Sequence, residues 1–254
     1  MDASCCHKYR INPDFRAVTR LSVNINKVAL LRNSRGANLP DILKVARDCE
    51  AFGAQGITVH PRPDERHIRY QDVRDLRRLV QTEFNVEGYP DRRFMDLVLD
   101  VKPDQCTLVP DPPGVLTSSE GWDTLGSGDQ LRTIITELHD RGIRVSLFVD
   151  PDPVMVEGAA AAGADRIELY TGRFSEQYAL DPAIAIASHI RAASAAETLG
   201  LGVNAGHDLN LYNLAYYHKQ IPSLLEVSIG HALFADALYF GLQNAIGMYL
   251  RCLH

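Results

Sequence analysis

From Leu21 onward, short runs that are β-branched or alternate apolar with polar residues are separated by longer runs with apolar positions three and four apart. The short runs predict strands at 21–26 (LSVNIN), 56–60 (GITVH), 84–87 (FNVE), 105–109 (QCTLV), 144–149 (RVSLFV), 166–170 (RIELY), 201–204 (LGVN) and 224–229 (LLEVSI). The longer runs predict helices near 40–52, 70–82, 91–101, 129–141, 152–162, 181–199, 209–218 and 231–251, several opened by Pro or Asp and closed by Gly. Strand and helix alternate with no Ser/Gly/Pro-rich linker between them. That order predicts a single α/β domain, a (β/α)8 TIM barrel, which a chain of 254 residues is long enough to build. Residues 1–20 show neither period and are expected to be a disordered N-terminal extension, leaving 21–254 as the barrel domain.

Charge and composition narrow the partners. The net charge is −6 and basic residues occur only in local groups such as Arg62/Arg66, so no stripe for a nucleic acid exists. The cysteines Cys5, Cys6, Cys49, Cys106 and Cys252 are odd in number and lack C-x-x-C spacing, as expected of reduced thiols. No apolar run approaches the roughly 18 residues of a membrane span, and no secretory leader is visible. A soluble, cytoplasmic protein is expected.

Barrel enzymes place their chemistry at the carboxyl ends of the strands. Those ends carry Asn24 and Asn26, His60 and Arg62, Glu87, Glu168, Asn204 with His207, and Ser228 with Gly230-His231, while Thr117 lies in the loop after the fourth strand. Alternation directs Asn24, Thr58, Asn85, Glu168 and Glu226 into the barrel, where carboxylates must be paired or protonated. Histidines near their ordinary pKa beside such glutamates can take and return protons at neutral pH. Pro61 and Pro63 stiffen the loop that holds Arg62 and His67, so the arginine fork is partly pre-aimed at an anion. His207 and Gly230-His231 are expected to open helices whose N-termini bind a second phosphate. The long segment 110–128 is expected to be a lid.

Several activities fit these residues. An isomerase or aldolase acting on a phosphorylated sugar needs one anion site, and no lysine ends a late strand as a Schiff-base aldolase requires. A metal hydrolase would draw ligands from His60, Glu87, His207 and His231, without a compact ligand motif. A non-catalytic phosphate-binding barrel would need none of the rim's acid/base groups.

The phrases VNINKVALLRNSRG (23–36), GITVHPRPDERHI (56–68), FNVEGYP (84–90), TLVPD (107–111), VSLFVD (145–150), RIELYTG (166–172), LGVNAGHDLN (201–210) and VSIGHAL (227–233) together resemble the pyridoxine 5'-phosphate synthases of vitamin B6 synthesis. The resemblance implies a barrel with extra helices, assembled as a homo-octamer and using neither metal nor organic cofactor. It implies condensation of 1-deoxy-D-xylulose 5-phosphate with 3-amino-2-oxopropyl phosphate to pyridoxine 5'-phosphate, phosphate and water. It also implies residue roles. His60 and Glu87 look like proton acceptors, His207 like a proton donor and Glu168 like a stabiliser of charged intermediates. Asn24, Arg35, Asp208, Gly230 and His231 would hold the aminoketone phosphate, and Asn26, Lys27, Arg62, His67 and Thr117 the ketose phosphate. The chain departs from the family at Asn26-Lys27, where many members have Asp-His, and at Asp208, where many have Gly.

Overall fold

A computed structural model describes residues 18–111 and 120–254. Its elements in chain order are β1 (Arg20–Asn24), α1 (Asn26–Asn33), α2 (Ile42–Ala51), β2 (Gly56–Val59), α3 (Tyr70–Arg77), β3 (Glu83–Gly88), α4 (Arg92–Val101) and β4 (Gln105–Leu108). There follow α5 (Gly128–His139), β5 (Arg144–Val149), α6 (Pro153–Ala162), β6 (Arg166–Leu169), α7 (Gly172–Tyr178), α8 (Pro182–Leu199), β7 (Gly202–Gly206), α9 (Leu214–Gln220), β8 (Leu224–Ile229), α10 (His231–Phe240) and α11 (Leu242–Arg251). The strands pair in sequence order, all parallel, and β8 closes on β1. This is the predicted (β/α)8 barrel, with all eight predicted strands present.

Caps follow the sequence signals. Asp41, Asp91, Asp152 and Asp181 each accept backbone N–H bonds at a helix start, while Gly163 and Gly200 close α6 and α8 at positive φ. The apolar core lies between the outer face of the sheet and the helices, with Val23, Ile57, Phe84, Val86, Leu147 and Ile167 fully buried in it. The opposite, inward face is polar. Asn85 joins the Thr58 and Thr107 hydroxyls at 3.4 and 3.1 Å, and Ser22 meets Thr58 at 2.7 Å. Below them an ionic cluster closes the barrel floor: Glu83 pairs with Arg20 at 3.2 Å, with Arg166 at 3.7 Å and with Arg144, and Arg166 reaches Glu226 at 3.9 Å. A barrel interior is usually filled by layers of branched aliphatics. Here polar groups hold most of it.

Three expectations are corrected. Asn26 opens α1 instead of ending β1, because the Asn24 side-chain carbonyl accepts the Asn26 N–H at 3.1 Å and turns the chain. The predicted helix 231–251 is two, broken at Gly241 with φ +78°. His207 opens no helix: it sits in a turn, and α9 starts only at Leu214. In the expected lid, residues 112–119, and with them Thr117, lie outside the described residues. Its second half is anchored, with Trp122 donating to the Leu108 carbonyl at 3.0 Å and stacking on Tyr89. Thr19 donates to the Leu224 carbonyl and Arg20 begins β1; residues 1–17 of the expected extension lie outside the described residues.

Candidate active site

The end of α1 builds the cationic loop. Buried Arg32 forms a two-pronged pair with Asp72 at 2.7 and 2.8 Å and also donates to the His67 carbonyl at 3.2 Å. Asn33 donates to the carbonyls of Arg66 and His67 at 3.1 and 2.7 Å. The 61–69 backbone is therefore held from outside, leaving Arg62 and His67 facing the barrel mouth. Burial first, then the charges of Arg62 and Arg66, push His67 down to about 4, so its ring is neutral. Its Nδ1 accepts the Ile68 N–H at 2.9 Å. The ring proton then resides on Nε2, a donor suited to a phosphate oxygen.

His60 is fixed through its backbone, whose N–H donates to the Asn26 side chain at 2.9 Å. Burial above all, then Arg62, holds the His60 imidazole well below its ordinary value. A neutral imidazole can accept a proton. Its Nδ1 stands 4.0 Å from Glu87 Oε2, which also lies 3.4 Å from the Asn24 amide. Glu87 and Glu168 are each pushed up to about 8, burial being the main cause in both; Glu226 adds repulsion at Glu87, and Glu87 adds it at Glu168. Two mutually repelling carboxyls in one cavity share protons across neutral pH.

Across the mouth, Asp208 accepts from His207 Nδ1 at 2.8 Å, and this bond is the largest cause raising the His207 pKa. His207 holds its geometry at φ +41°, outside the usual range for a side chain of its size. Its protonated form is thus favoured, where His60 is held neutral. At the start of α10, a β-carbon on Gly230 would stand 2.7 Å from the Asn24 carbonyl, so only glycine lets the chain turn so tightly there. Gly230, His231 and Ala232 at that helix start line the same cavity as Arg62 and His67, and the first N–H groups of a helix have no partner within it.

Of the expected site residues that the structure describes, all except Arg35 line one cavity of about 720 Å³. Arg35 is exposed in the turn after α1, outside the cavity lining. Among the described residues, no three His, Cys, Asp or Glu side chains converge to hold a metal. Lys27, exposed at the rim, depresses both His67 and His207 and so stands within electrostatic reach of each. Sequence reading missed Thr107, Val109, Phe148, Ser175 and Asn210. The first three share the inward parity of β4 and β5 and could have been found by alternation; Ser175 rides on α7, whose short polar sequence gave no helical signal.

The family model for pyridoxal phosphate biosynthesis protein PdxJ matches residues 21–254. A pyridoxine 5'-phosphate synthase from Bacteroides fragilis is 61% identical, over 93% of this chain and 100% of that protein. One from Cytophaga hutchinsonii is 61% identical over 92% of this chain and 98% of its own. Among solved structures, 3-hexulose-6-phosphate synthase from Salmonella typhimurium superposes with a TM-score of 0.62 at 14% identity, covering 92% of this chain and 98% of that one. Tryptophan synthase from M. tuberculosis gives 0.64 at 10% identity, with 94% of each chain covered. At such identities these two structures show the barrel fold alone.

Proposed function

The chain belongs to the pyridoxal phosphate biosynthesis protein PdxJ family, and on that premise we propose that it is a pyridoxine 5'-phosphate synthase of the transferase class that condenses 1-deoxy-D-xylulose 5-phosphate with 3-amino-2-oxopropyl phosphate. The observation that carries this reading is a single cavity lined by Arg62, His67 and Lys27, by the start of α10, and by the four acid/base side chains His60, Glu87, Glu168 and His207. Arg62, His67 and Lys27 make one pole, for the ketose phosphate; the start of α10 with Asn24 makes the other, for the aminoketone phosphate. An isomerase of one sugar phosphate has no use for the second pole.

The chemistry needs many proton transfers. The amine adds to the ketone and water leaves, which requires a base for the amine and an acid for the departing hydroxyl. Phosphate elimination, ring closure by an enol carbon on a carbonyl, and aromatisation each remove a C–H proton and protonate an oxygen. His60, neutral, and Glu87, part ionised, serve as bases; His207, whose protonated form the Asp208 hydrogen bond favours, serves as the acid. Glu168 balances the iminium charge when ionised. Asp208 presents an acceptor and not a donor, so its part here is to orient His207 and the phosphate falls to Gly230 and His231. Assembly as an octamer accords with the exposed apolar Leu238, Tyr239 and Phe240 on α10. Purified protein mixed with both substrates should generate the absorbance of a pyridine ring, and omission of either should abolish it. No absorbance with both present would refute the assignment.

A further inference from the structure

Val109 and Phe148 are 4% and 3% exposed, yet neither packs in the apolar core between sheet and helices. The β4–β5 register sets Leu108 opposite Leu147, so the next residues bring Val109 beside Phe148. The β5–β6 register sets Phe148 opposite Glu168. All three side chains line the cavity. Among the described residues two other apolar ones reach it, Leu30 (45% exposed) and Ala232, but both belong to helices at its mouth. Val109 and Phe148 therefore make an apolar patch in an otherwise polar strand wall.

We propose that this patch is the subsite for the C1 methyl group of the ketose phosphate, and that it selects a methyl ketone over the same sugar phosphate carrying a hydroxyl at C1. The proposal rests on the reaction assigned above. Apart from methylenes, the two substrates offer phosphate, hydroxyl, carbonyl and amine groups and one methyl. A hydroxyl pressed against Val109 and Phe148 would lose its water without gaining a partner. Because Phe148 adjoins Glu168, a methyl seated on the patch brings the neighbouring C2 carbonyl, the carbon the amine attacks, beside a carboxyl.

The test compares kcat/KM for 1-deoxy-D-xylulose 5-phosphate and D-xylulose 5-phosphate at fixed aminoketone phosphate, using the full chain. An apolar subsite rejects an added hydroxyl by up to about 100-fold, so the unmodified protein should prefer the methyl ketone by about 10- to 100-fold. Val109→Thr keeps the shape and supplies a partner for the extra hydroxyl, and should shrink that preference by about tenfold. Phe148→Leu stays apolar but withdraws the ring, and should shrink it by about threefold or more, which keeps the test alive if the threonine variant does not fold. Equal use of both ketoses by the unmodified protein, or an unchanged ratio in folded variants, overturns the subsite while leaving the reaction standing. Product from neither ketose overturns both.

Discussion

Glu87 shows how one side chain joins chemistry to stability. Its carboxyl, raised to about 8, keeps in the folded protein a proton that the unfolded chain releases near the ordinary carboxylate value. Its contribution to stability is present below that ordinary value and is lost as pH climbs through about 8. Glu87→Gln does not titrate, so its melting temperature should gain on the parent's between about pH 5 and pH 9. Turnover should fall by about 100-fold or more, since the amide cannot accept a proton. Calorimetry and steady-state kinetics on the same preparation check both. His207 is raised as well, first by its hydrogen bond to Asp208, so its linkage has the same sign. Asp208→Asn removes the main cause of its raised pKa, so the alkaline limb of the pH–rate profile should move to lower pH. Lys27→Met should weaken the ketose phosphate by about 1–3 kcal/mol in titration calorimetry and leave the aminoketone phosphate nearly untouched. His60, Glu87, Glu168 and His207 could be read from the sequence because strand parity and rim position are local properties. The size of the Glu87 shift could not, because it depends first on burial in the closed barrel and then on Glu226, which lies far along the chain on another strand.

At the scale of elements, α1 is the piece that sequence patterning passed over. Asn24 ends one alternating run and caps the next segment with the same side chain, so LSVNIN reads as unbroken strand. Only the tertiary contacts of Arg32 and Asn33 show that α1 carries the cationic loop on its C-terminal end. Asp72→Ala would leave buried Arg32 without its two-pronged partner and should cost about 3–5 kcal/mol in denaturant unfolding. The same change should loosen the 61–69 loop and weaken ketose phosphate binding while sparing the pole at α10. Likewise the split of α10 from α11 turns on one positive-φ glycine, Gly241, inside a run whose periodicity continues across it. Apolar periodicity records which face is buried and is blind to where one helix yields to another of the same face.

Across the whole molecule, the barrel forgoes an aliphatic interior for a polar column, and the core between sheet and helices supplies the hydrophobic stabilisation instead. The sheet order and the polarity of its inner face, Glu226 included, were legible from strand alternation; its ionic neighbours Glu83, Arg144 and Arg166 were not, because charges at strand starts look like solvated ends until the strands converge. With carbonyls activated by imine formation and by donors at both poles, the condensation calls for no Lewis acid. Turnover should therefore survive exhaustive chelation, and loss restored by one divalent metal would return the metal reading of the rim histidines. The central claim is that one cavity consumes two phosphate esters and frees one phosphate. Phosphorus-31 NMR of a single reaction containing purified protein, chelator and both substrates tests it most directly. The account predicts that both ester signals decay together while one new ester and inorganic phosphate grow in equal amounts. Decay of one ester alone, or phosphate growing without the new ester, would contradict it.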